Sequence, residues 1–119
     1  DPDKRIRWFR APQGIFTPTM RKELAKRPNM VHVLGDCYCD DWKISDAQYV
    51  ANTMAQQVGD GSILILHMPE KGFRESSLLA LELLLRKLNE MEIQCVTLGE
   101  MSRFARSCRP GEKNEYFCK

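Results

Sequence analysis

The stretch Gly61-Ser62-Ile63-Leu64-Ile65-Leu66-His67 sets the narrowest limits on the fold. Consecutive large apolar residues with no polar alternation read as a strand buried on both faces, as a parallel sheet requires. Gly59-Asp60-Gly61 marks its start. His67 falls at its carboxyl end, the edge where α/β folds collect their chemistry. A histidine there is equally at home as a hydrogen-bonded structural residue, so the rest of the chain has to decide.

Helices and strands alternate around this stretch. Ile6–Arg10 reads as a strand, stopped by Ala11-Pro12 because proline lacks the ladder donor and pushes its predecessor to an extended shape. Thr17-Pro18 predicts a helix with threonine as N-cap, running to about Arg27, with Arg21, Lys22, Lys26 and Arg27 on a solvated face. Met30–Leu34 reads as a second strand, with His32 packed or solvated inside it. It ends at Gly35-Asp36, followed by the acidic, aromatic loop Cys37-Tyr38-Cys39-Asp40-Asp41-Trp42.

Ser45 with Gln48 predicts a capping box. Ala47, Val50, Ala51, Met54, Ala55 and Val58 keep helical spacing on one face. A long helix is expected from about Arg74 to Met91, with Leu78, Leu81, Leu85 and Leu88 as its core stripe, widened by Leu84 and Met91. Glu82 and Arg86 make a favourable i,i+4 pair. Ile93–Leu98 reads as the last strand and Glu100 to about Arg106 as a short helix. The order β-α-β-α-β-α-β-α predicts an α/β fold, a parallel sheet of about four strands with alternating helices. Arg10, the Asp36–Trp42 loop and His67 then share one edge of that sheet.

A chain of 119 residues with 43% hydrophobic and 29% charged residues is long enough for one core and is not a disordered composition. A net charge of +2 gives no argument for nucleic acid as a partner. No apolar run approaches the roughly 18 residues of a transmembrane helix. The start Asp1-Pro2-Asp3-Lys4 has no signal-peptide pattern, so any targeting segment is expected upstream or not at all. Of the five cysteines, Cys108 and Cys118 flank a Pro-Gly turn in the polar tail 108–119. That arrangement suits either a loop-closing disulfide in an oxidising compartment or two free thiols. Cys37, Cys39 and His32 follow none of the standard zinc spacings.

Arg10-Ala11-Pro12, Asp41-Trp42 and Leu64-Ile65-Leu66-His67 together resemble the last three motifs of the NodB-type polysaccharide deacetylases, carbohydrate esterase family 4. The flanking Gly61-Ser62-Ile63 and Cys95-Val96-Thr97-Leu98-Gly99-Glu100-Met101 are similar as well. The resemblance covers roughly residues 7 to 102. It implies that residues 1–107 are the second half of a deformed (β/α) barrel. It also implies a secreted or cell-surface, divalent-metal-dependent hydrolase (zinc being usual) that removes acetyl groups from an amino-sugar polymer such as chitin or peptidoglycan. The chemistry follows from the bond: an amide is a poor electrophile with a poor leaving group, so a metal polarises it and an acid must neutralise the departing nitrogen.

Carried over by position, the resemblance makes His67 the general acid and Arg10 the group that orients the catalytic base. Asp41 and Trp42 then match the end of the fourth motif, Asp-x-x-Asp-Trp, whose first aspartate partners the acid histidine; Asp41 is a candidate catalytic carboxylate, and Trp42, with Tyr38, contacts substrate. The chain departs from the pattern at Tyr38, which stands where the motif has its first aspartate, at Gln13 in place of an aromatic, and at Met68 after the histidine. Asp36, Asp40 or Asp41 is expected to supply the carboxylate that holds His67. The family's Thr-Phe-Asp-Asp-Gly-Pro and His-x-x-x-His motifs do not occur, and the chain holds two histidines, so no metal ligand is assigned to it. The missing ligands are expected on another segment. The alternative is a non-catalytic carbohydrate-binding or interaction domain on the same scaffold. Half a barrel has an open sheet edge, which predicts dimerisation, strand exchange or a separate N-terminal half.

Overall fold

The computed structural model describes residues 5–107, and Cys108 and Cys118, whether bridged or free, lie outside them. The chain divides into two compact units at Leu34–Gly35. In the first, β1 (Arg7–Phe9) and β2 (Met30–His32) form a parallel pair in the register Arg7–Met30, Trp8–Val31, Phe9–His32. The crossover between them carries α1 (Pro18–Ala25). Thr17 caps α1 as expected, its side chain accepting from the Met20 N–H at 3.2 Å. Pro18 occupies the first turn, where its missing N–H costs nothing. Arg21, Lys22, Lys26 and Arg27 are all exposed, and Lys26 pairs with Glu23 at 2.6 Å. His32 stacks on Phe16 with ring centroids 3.8 Å apart.

The second unit is built on the helix pair α2 (Ala47–Gln57) and α3 (Ser77–Glu90), followed by α4 (Leu98–Ser107). Ala47, Val50, Ala51, Met54 and Ala55 of α2 meet Ala80, Leu84 and Leu88 of α3 in one core, with Cys37 also fully enclosed. Alanines on both facing stripes let the two backbones approach closely, and the larger Met54, Leu84 and Leu88 fill the space between them. The N-cap of α2 is Asp46, not Ser45: its carboxylate accepts from the Tyr49 N–H at 3.0 Å. A charged cap also complements the helix dipole, and starting one residue later turns Ala47 into the core. Gln48 instead bonds Asn52 on the helix surface.

Three further expectations need correction. The core stripe of α3 is Ser77, Ala80, Leu84 and Leu88, whereas Leu78, Leu81, Leu85 and Met91 are exposed. The helix is apolar on nearly every side, so leucine spacing alone could not fix its phase; the small residues facing α2 do. The helix begins at Ser77 because Arg74, at φ 58°, has a left-handed backbone that cannot continue a right-handed helix. Glu82 and Arg86 form the expected pair at 2.7 Å, exposed and therefore worth little.

The third correction concerns strands. The described residues form a mixed α/β arrangement with a two-stranded parallel sheet and four α-helices; Gly61–His67 and Ile93–Leu98 are not ladder strands. Gly61–His67 makes one parallel bridge, Cys37 with Leu64. Its bonds on that side are the Asp36 and Cys37 N–H groups to the Ile63 carbonyl (3.1 and 3.3 Å) and the Ile65 N–H to the Cys37 carbonyl (3.0 Å). A ladder needs partners as well as propensity, and Ile63–His67 is half-buried rather than enclosed on both faces. In α4, a reciprocal capping box overrides the expected strand and moves the helix start ahead of Glu100. The Glu100 carboxylate accepts from the Thr97 N–H at 2.8 Å, and the Thr97 hydroxyl accepts from the Glu100 N–H at 3.2 Å. No described helix is long and apolar enough to cross a membrane.

Two outcomes follow from this packing. Leu88→Ala should lower unfolding free energy by about 2–5 kcal/mol in urea titrations, against less than about 1 kcal/mol for Leu85→Ala at the exposed stripe. The bonds from Thr97 hold the Glu100 carboxyl below its usual range. A lowered folded pKa means a contribution present above the unfolded value, roughly 4.3, and lost as pH falls through the folded one. The protection factor of the Met101 amide, whose N–H closes the first turn on the Thr97 carbonyl, should therefore fall in acid, and Glu100→Gln should flatten that dependence.

Candidate functional site

The site begins with a close approach. A side chain at Gly35 would run into the Ile65 side chain and the Ile63 carbonyl, so only glycine lets the loop enter beside Gly61–His67. Asp36 then fastens the loop, its carboxylate accepting from the Ile63 N–H at 2.7 Å and the Ser62 hydroxyl at 3.3 Å. Cys37 is buried and its thiol donates to the Met54 carbonyl at 3.3 Å. The Tyr38 N–H bonds Gln57 at 3.0 Å. The Asp40 carbonyl accepts from both Lys43 and Ile44, closing a tight turn. These contacts leave Asp41 pointing inward, 2% exposed.

Asp41 is the carboxylate that holds His67. One oxygen faces the imidazole Nδ1 at 2.7 Å; the other accepts from the His67 backbone N–H at 2.8 Å and from the Ser77 hydroxyl at 3.4 Å. Gripping both the backbone and the ring of one residue fixes the orientation of the ring. An ionised carboxylate accepts only, so Nδ1 carries the proton and Nε2 is left for other work. The His67 side chain is 36% exposed, while that of Asp41 is 1% exposed. The result is an acid–base pair with its carboxylate enclosed and its imidazole reachable.

Trp42 follows Asp41 in the chain and is 47% exposed, in an open groove of about 610 Å³ whose lining includes Asp41, Lys43, Phe73, Arg74 and Glu75. Of the expected site residues, the structure joins Asp41 to His67 by hydrogen bonds and places Trp42 with Asp41 along the groove. Tyr38 is exposed and does not line the groove. Arg10 is exposed and belongs to the other unit. Asp36 braces the loop and is not the partner of His67. Ser77, Phe73 and Arg74 escaped the sequence reading. A serine at the head of a leucine-rich helix was the available signal for the first; nothing in the spacing marked the other two.

Burial, and then the negative charge of Asp36, push the Cys37 thiol up. Burial does the same for Cys39, with Asp40 and Asp41 adding to it and a backbone bond opposing. Neither is a thiolate nucleophile at neutral pH. Among the described residues, no group of three or more His, Cys, Asp and Glu side chains could hold a metal ion. Both Asp41 oxygens already accept bonds, and the Cys37 thiol is committed to a carbonyl. This donor set does not fit the three-ligand centre of a zinc hydrolase.

Asp41→Asn should release the imidazole: ¹⁵N spectra of the parent should show His67 protonated at Nδ1, and the variant should show a mixture of tautomers. Compared with protein-family models, with curated proteins and with solved structures, the chain matches none.

Proposed function

We propose that this chain carries the acid-donating side of an N-deacetylase acting on an amino-sugar polymer of the chitin or peptidoglycan kind. The observation that carries the reading is the enclosed Asp41 gripping His67, next to a groove lined by Trp42. Hydrolysis of an acetamide adds water oxygen to the carbonyl carbon, breaks the carbon–nitrogen bond and sends a proton to the nitrogen, giving acetate and a free amine. His67, protonated on both nitrogens, delivers that proton from Nε2, and Asp41 stabilises the imidazolium before transfer. Trp42 offers an aromatic face to a sugar ring. The reading follows the resemblance in giving Arg10 the role of orienting the base. It gives the divalent metal, zinc by that resemblance, to ligands beyond those described here.

The same reading makes the chain part of a NodB-type half barrel at the cell surface or in a secreted protein. The side of Gly61–His67 away from Cys37 is where a further strand would pair, from an N-terminal half or from a second copy. The test is steady-state kinetics of the intact, metal-loaded protein on a soluble chito-oligosaccharide. His67→Ala should reduce kcat by about 100- to 10,000-fold with little change in substrate binding, and Arg10→Ala should lower kcat without changing metal content. Unchanged turnover in His67→Ala removes the acid assignment. Oligosaccharide binding with no turnover in the parent would support a non-catalytic carbohydrate-binding domain.

A further inference from the structure

We propose that Phe73 is a second sugar-stacking platform, and that the groove it shares with Trp42 selects an uncharged N-acetylated oligomer over an acidic one. This inference rests on the deacetylase reading for its choice of ligand. The segment around Phe73 is a locked turn. Glu70 and Phe73 exchange both backbone bonds, at 2.8 and 2.9 Å. Gly72 takes φ +76° and its N–H bonds Glu75 at 3.0 Å. Arg74 takes φ 58°, an unfavourable conformation for a residue with a side chain. Its guanidinium reaches back to Glu70 at 3.1 Å and sits 4.5 Å from the Phe73 ring centroid. All of this holds an aromatic ring that remains 47% exposed, as exposed as Trp42 in the same groove. A strained, cross-braced turn that keeps a phenyl ring at the surface is a reason to look for what the ring meets.

The chemistry of the groove narrows the ligand. Its size falls in the roughly 300–1,000 Å³ range of small-molecule sites. Two aromatic rings suit the apolar face of a pyranose, and Ser45 and Ser76 add hydroxyls for its rim. The charged residues lining it balance, Asp41 and Glu75 against Lys43 and Arg74, so neither a polyanion nor a polycation is favoured. Asp41 belongs both to the groove and to the pair with His67, which does not itself line the groove. A sugar seated on Phe73 therefore does not occupy the position at His67, and a ligand that reaches both is an oligomer.

Isothermal titration calorimetry of the intact protein tests this without needing turnover. The probes are N-acetylglucosamine, its β-1,4 tetramer and a hyaluronan tetramer. The parent should bind the neutral tetramer more tightly than the monomer and than the acidic tetramer. Phe73→Ala should weaken tetramer binding about 10-fold, and Phe73→Tyr should restore it to within about 2-fold of the parent. The tyrosine variant separates loss of the platform from misfolding. Equal tetramer affinity in Phe73→Ala and parent, equal affinity of the parent for both tetramers, or no tetramer binding by the parent would overturn the inference. Deacetylation by a parent that is indifferent to Phe73→Ala would leave the enzymatic reading standing without it. Phe73-dependent binding with no deacetylation would do the reverse.

Discussion

A buried carboxylate is expensive unless donors surround it, and the second unit is arranged to surround one. Asp41 draws its donors from two places, the end of Gly61–His67 and the first turn of α3. Remove either and the charge is left enclosed with too few partners. The closeness of Gly35 to Ile65, the Asp36 bonds to the start of that segment and the Cys37 bridge all bring the loop to the position where Asp41 meets them. Neighbouring acids along the loop thus have different physical tasks: Asp36 sets position near the surface, and Asp41 sets the orientation of an imidazole.

What the sequence made legible depended on whether local pattern or partners decide the outcome. The buried face of α2 could be read because polar residues separate its apolar ones; α3 could not be phased because leucine recurs on several of its sides. Thr17-Pro18 announced a helix start correctly, since a cap is a local device. Ser45 and Asp46 are both good caps, and the bond from the Tyr49 N–H goes to Asp46. Strand propensity in Ile63–Leu66 said that the segment would be extended, not how many neighbours it would have.

The site divides the same way. His67 and Trp42 stood out at an expected edge, and Asp41 was one of three acids that spacing could not rank. The ranking came from depth: Asp41 is enclosed, whereas Asp36 and Asp40 are exposed. Ser77 and the Phe73–Arg74 turn depend on tertiary placement and on positive φ at a non-glycine residue, which no side-chain pattern announces. His32 shows the opposite case. A histidine that could have been a ligand is a stacked aromatic against Phe16, and its buried Nε2 has no hydrogen-bond partner among the described residues.

The contacts of Asp41 also bear on the order of folding. The carboxylate's partners lie 26 and 36 positions along the chain. Contacts of that separation form only after the intervening loops have closed, which slows their appearance relative to helix formation. A half-collapsed chain would have its helices while the imidazole still rotated freely. Fixing the ring of His67 would then be among the last events of folding, and a partly unfolded molecule would hold that imidazole in no single orientation.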